Sequence, residues 1–251
     1  WDPGPGVALA DAAELADRPG HVTRPDGTVL FDPAAAPARL RTTAAFVHRL
    51  LTATRSRAPR LGCFGLHEWA MVYRTDDARH RDTVPLRLGR AGTDAVVESA
   101  RISCTHYDAY RFFTGAAAPR NELVPTRERQ VEMEQPGCLH ATMDLYKWAY
   151  KLAPAVPSEV VADCFALAAD VRELDMRASP YDLSAHGFDP VPIETPAGRA
   201  EYARAQAGFA ERAAPLREEL IDLAGRLAGA DDRPGNDDGA AGEVPDGPAT
   251  A

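Results

Sequence analysis

Lysine is almost missing from this chain. Of 28 basic side chains only Lys147 and Lys151 are lysines, so the remaining 26 are arginines and a lone arginine reflects coding bias as readily as a chosen contact. Long apolar runs are missing too: none approaches the roughly 18 residues of a membrane span, which excludes a helical membrane protein. Cysteine is scarce, and Cys63, Cys104, Cys138 and Cys164 are spaced too widely for a disulfide framework or a Cys-x-x-Cys metal motif. With no charged and then apolar leader, the expectation is a reducing, cytoplasmic compartment. Residue 1 is Trp rather than Met, so the reading frame is expected to begin earlier and the N-terminal segment to be truncated. There is no phosphate loop, no Gly-x-Gly-x-x-Gly, no His-Glu-x-x-His and no nucleophile elbow, and no cofactor or metal is called for.

What is present is charge, unevenly spread. The net of -9 divides into -4 over residues 1–38 (two bases, six acids), +7 over 39–130 (16 bases, nine acids) and -12 over 131–251 (ten bases, 22 acids). A ligand feels charge over roughly 8–10 Å in cellular salt, so the middle third suits an anion whatever the total. Solvated arginines scattered by codon usage explain the same excess equally well.

The patterning predicts a mainly α (α+β) chain with three parts. Residues 1–37 hold a small β-hairpin, with Asp26-Gly27 turning between His21–Arg24 and Thr28–Phe31. Residues 38–229 form a helical core domain. Residues 230–251 carry a single large apolar side chain, Val244, and read as a disordered acidic tail. Within the core domain, Leu40, Ala44, Val47 and Leu51 recur at helical steps, further helices are expected over about 139–152 and 158–177, and a last one begins at Thr195-Pro196, is interrupted near Pro215 and ends about Ala228. The segment "LGCFGLHEWAMVYR" reads as a buried strand or turn, and "ESARISCTHYDAYRFF" as a strand near Ile102 that becomes helical by Asp108.

Helical geometry then locates a candidate site. In "LHATMDLYKWAYKL" the side chains of His140, Asp144, Lys147 and Lys151 fall within an arc of about 60°, while Ala141, Leu145, Ala149 and Leu152 lie opposite and face the core. A solvated charged face and the wall of a pocket both fit this arc. In the next helix Arg172 and Asp175 project toward the apolar side, where they bridge each other or serve a pocket; Arg177, Tyr181 and Asp182 follow at its exit. Three cysteines stand close to histidines: Cys63 with His67, Cys104 with His106 and Cys138 with His140. Thiolate and imidazole together suit zinc, but none of the pairs has metal-site Cys-to-Cys spacing, and packing of buried cysteines is the reading preferred. Asp108 and Glu68 are placed to orient His106 and His67.

The stretches "LGCFGLHEWAMVYR", "PTRERQVEMEQPGCLHATMDLYKWAYKL" and "DCFALAADVRELDMRASPYDL" resemble those of a bacterial family labelled 3-methyladenine DNA glycosylase, over most of residues 38–228. The Gly-rich hairpin of helix-hairpin-helix glycosylases is not found. The resemblance implies hydrolysis of the N-glycosidic bond of an alkylated purine, with the base flipped from DNA. It implies Asp144 or Glu68 as the carboxylate acting on water, His140 lining the pocket, and Asp108 and Asp175 in reserve. Trp148, Trp69, Tyr146 and Tyr150 would stack on a cationic base. His106, Arg177 and Tyr181 would complete the substrate contacts, and Lys147, Lys151, Arg111, Arg127 and Arg129 would meet phosphates, making residues 39–130 the expected DNA-facing segment. Two other classes fit the residues: a small-molecule or metal-dependent hydrolase built on the Cys/His pairs, and a non-catalytic helical binding module.

Overall fold

The hairpin forms because Asp26 and Gly27 satisfy the turn locally. Asp26 Oδ1 accepts from the Thr28 amide at 3.0 Å and from its hydroxyl at 2.7 Å, while Gly27 takes a φ of 82° that other residues rarely adopt. Strands β1 (His21–Thr23) and β2 (Val29–Phe31) pair antiparallel with His21 opposite Phe31, one residue shorter at each inner end than expected. The computed structural model describes residues 3–75 and 84–229, so the tail expected over 230–251 lies outside the described residues.

The rest is helical, and the chain is mainly α with this small N-terminal hairpin. Helix α1 (Ala38–Arg55) buries Ala44, Val47, Leu50 and Leu51, the face its periodicity marks. Two left-handed residues, Phe64 at φ 49° and Gly65 at φ 70°, then turn the chain into the one-turn helix α2 (Leu66–Ala70), where a buried strand or turn was expected. Helix α3 (Gly89–Ser99) is not anticipated by the sequence, because its glycines blur the apolar spacing. The strand expected near Ile102 is reduced to one bridge between Ile102 and Asn121, followed by the short α4 (Tyr107–Tyr110) and α5 (Gln130–Met133).

Helices α6 (Leu139–Leu152), α7 (Ser158–Arg177) and α8 (Pro196–Ala228) complete the core. Thr195 caps α8 by accepting from the Gly198 amide at 3.1 Å. Pro215 does not interrupt it, contrary to expectation: α8 runs unbroken for 33 residues, and burial of Ala213, Leu220, Ala224 and Leu227 offsets the roughly 3 kcal/mol of an interior proline. Helix α8 packs along α1 and against α6 and α7, and α6 lies on α7. Among the described residues no helix is long and apolar enough to cross a membrane.

Two ties hold the site-bearing loops to this bundle. Trp69 Nε1 donates to the Ala178 carbonyl at 2.9 Å, fixing α2 to the end of α7. Arg57 donates to the carbonyls of Glu134 and Val131 at 2.8 and 2.7 Å, fixing the approach to α6.

Candidate functional site

The polar edge of α6 faces inward for three of its four residues. His140 lies between two other imidazoles, with ring centroids 4.5 Å from His67 and 5.3 Å from His106. Asp144 Oδ2 accepts from His106 Nε2 at 3.3 Å and from Lys147, whose Nζ also donates to Asp108 Oδ2 at 3.2 Å. Lys151 departs from the group: it is exposed, over the Trp148 ring, beside a separate hollow with Arg18, His21 and Arg39.

Behind His140 sits a buried charge pair. His67 Nε2 donates to Asp175 Oδ1 at 2.9 Å, Arg172 donates to the other Asp175 oxygen at 3.0 Å, and Cys63 Sγ lies 3.4 Å from His67 Nδ1. Asp175 is wholly buried, whereas the Arg172 side chain is half exposed, so only the acid of this expected pair sits on the apolar side. Burial opposes charge on both His67 and Asp175, but their mutual attraction reverses this: the imidazole is pushed well above its ordinary value and the carboxyl held well below.

A second cluster adjoins the first. His106 Nε2 faces Glu134 Oε1 at 3.2 Å as well as Asp144, and Gln130 Nε2 donates to Glu134 at 2.6 Å. Burial alone would lower the His106 pKa, yet the hydrogen bonds it donates to Asp144 and Glu134 lift it to about 9. Asp144 is held below its ordinary value, burial being outweighed by His106 and Lys147. His140 behaves oppositely. Burial and the nearby charge of His67 push it down to about 3, so it keeps a free lone pair at neutral pH.

A cavity of about 660 Å³ opens onto this network, within the range of small-molecule sites. Its lining combines the ionisable groups Glu68, Asp108, His140 and Arg172 with apolar side chains such as Met71, Val72, Phe112, Met176 and Leu183, together with Tyr181. Glu68 follows His67 on α2 and pairs with Arg172 at 3.5 Å; burial and the charge of Asp175 nonetheless raise its pKa. Of the residues singled out from sequence, Glu68, Asp108, His140, Arg172 and Tyr181 line the cavity, and Asp144, His106, Lys147 and Asp175 stand directly behind or beside them.

Others lie elsewhere. Trp69 is core, with no exposed surface, and Trp148 packs edge-on against Phe46 at 5.6 Å. Tyr146 meets Phe165 of α7 edge-on at 5.2 Å and Tyr150, which is exposed, at 6.1 Å. Arg177 is occupied by the Asp189 carbonyl and by Glu173 and Glu201. Arg129 pairs with Glu132, whereas Arg111 and Arg127 approach Asp108 at 3.3 and 3.9 Å. Glu134 was not anticipated. It lies outside any periodic segment, and only the fold brings it to His106.

Two groups of side chains place three potential ligand atoms within 4.8 Å of one another: His67, His140 and Asp175, and His106, Glu134 and Asp144. Neither contains a cysteine. Burial pushes the Cys104 thiol up to about 12 and Cys138 well above its ordinary value, so both persist as neutral thiols. Cys164 is wholly buried, away from the three histidines, among core residues.

No protein-family model matches the chain, and comparisons with curated proteins and with solved structures give no match.

Proposed function

We propose that this chain is a hydrolase of N-glycosidic bonds, with alkylated purine in DNA, such as 3-methyladenine, as its first substrate class. One observation carries the reading: two carboxylates, Glu68 and Asp108, and the imidazole of His140 line one cavity together with several apolar side chains. A flat heterocycle suits the apolar side chains, and the sugar would then lie toward the carboxylates.

Breaking the bond leaves positive charge on the sugar while the electron pair departs with the base. An N3-methylated adenine is already cationic and leaves neutral without a proton donor. The enzyme therefore has two tasks, stabilising an oxocarbenium-like sugar and deprotonating water. Asp108, surrounded by Lys147, Arg111 and Arg127, supplies negative charge toward the sugar, and Glu68, whose pKa is raised by burial and Asp175, takes the proton from water as oxygen bonds to the sugar carbon. Asp144 positions Lys147 and His106 from behind. Lys147, Arg111 and Arg127, gathered around Asp108, supply contacts for phosphates. Such a role belongs in the cytoplasm, where free thiols are maintained.

The test is release of free base from methylated duplex DNA, with methylated purine nucleosides assayed alongside. Glu68→Gln is expected to abolish release while leaving DNA binding intact. Release from the nucleoside alone would overturn DNA as the substrate, and release from neither would overturn the proposal.

A further inference from the structure

The ring nitrogens of His140 make no hydrogen bond among the described residues, although this imidazole stands between those of His67 and His106 and lines the cavity. No group of the described residues occupies them, so they are available to a ligand in the cavity. His67, His140 and Asp175 offer one nitrogen each and a carboxylate oxygen, all within 4.8 Å, and His67 Nε2 is 2.9 Å from Asp175 Oδ1. Ligand atoms held about 2.0 Å from a tetrahedral zinc ion are separated by roughly 3.3 Å, so small side-chain shifts suffice to seat an ion.

We propose that His67, His140 and Asp175 bind one divalent first-row cation of the zinc type, which takes the place of the proton between His67 and Asp175, released to solvent, and keeps a coordination position open to the cavity. Three protein ligands of this kind with an open fourth position define catalytic rather than closed structural sites. The ligands are also held from behind. Cys63 contacts the far nitrogen of His67, and Arg172 holds the second oxygen of Asp175, the outer support that fixes orientation in metal sites. Glu68 Oε1, 4.0 Å from His67 Nε2, is placed to take a proton from water at the open position.

The neighbouring cluster is the weaker candidate on the same geometry. His106 already bridges Glu134 and Asp144, Gln130 and Lys147 occupy the same carboxylates, and none of the three candidate ligands lines the cavity. A cation there would sit beside the Lys147 ammonium with no open position. The inference gives the cavity a cofactor class, resting on the hydrolase reading only for what the ion would do, not for whether it binds.

The test is calorimetric titration of the chelator-treated full chain with zinc chloride, paired with the visible spectrum of the cobalt(II) form. One equivalent is expected, weakened about 100-fold or more by His140→Gln or Asp175→Asn and retained by His106→Gln. His140→Gln serves as the main variant because Asp175 also supports the fold, and circular dichroism checks both. Less than a tenth of an equivalent in the wild-type chain overturns the site. So does unchanged binding by folded His140→Gln, or loss confined to His106→Gln, which would move the ion to the other cluster. Zinc binding without base release keeps the metal site and rejects the substrate; base release without zinc binding does the reverse.

Discussion

Raising the pH should loosen the fold through His106, by an amount that follows from its surroundings. Its folded pKa of about 9 lies above the ordinary 6.5, so the folded state holds a proton that the unfolded chain releases first. This contribution is fully present below about pH 6.5 and is lost as pH rises through about 9. With 1.36 kcal/mol for each pKa unit, the loss between about pH 6 and pH 10 comes to about 3 kcal/mol. At a slope of about 3 kcal/mol per molar urea, the midpoint falls by about 1 M. The assay is urea unfolding of chelator-treated protein across that range, for the wild-type chain and for His106→Gln. His67, also raised, moves both proteins in the same direction, so the difference between them isolates His106. If both lose stability equally with pH, the charged bridge between Glu134 and Asp144 does not exist in solution and the second cluster has been misread.

Three further outcomes are expected. Gly198→Ala places a Cβ 2.1 Å from the Pro192 carbonyl oxygen, which must shift, so destabilisation of about 1–3 kcal/mol is expected. A thermal melt lowered by about 2 °C or more checks it, and an unchanged midpoint refutes it. Arg217 is buried with Nε and Nη2 unpartnered, so Arg217→Met is expected to raise stability in urea by about 1–3 kcal/mol; a fall refutes the reading of an uncompensated guanidinium. Arg127→Ala is expected to weaken DNA binding uniformly across sequences and to reduce the salt slope by about 1, and an unaltered slope would remove it from the phosphate contacts.

Much of the fold is legible in the sequence because the long helices carry their own evidence. The repeats of Ala44, Val47 and Leu51 in α1, and of Ala141, Leu145, Ala149 and Leu152 in α6, mark inward faces without knowledge of what they meet. The same wheel isolates His140, Asp144 and Lys147. It cannot say what they meet: the His67–Asp175 bond joins residues 108 positions apart, and no local pattern encodes such a meeting. Helix α3 escapes because Gly89 and Gly92 blur its short apolar face, and the aromatic assignments diverge because a tryptophan's size draws it into packing before it serves a ligand. Trp69 and Trp148 are both mortar between helices.

The left-handed pair at Phe64 and Gly65 has an effect beyond its own turn. Successive residues on a helix point about 100° apart, so one bend aims His67 toward Asp175 and Glu68 toward the open chamber at the same time. The interior ion pair and the cavity-lining acid are therefore steered by a single pivot. Altering that pivot would tilt both together, so a remodelled loop could retune the chamber's acid only by disturbing the anchor beneath it.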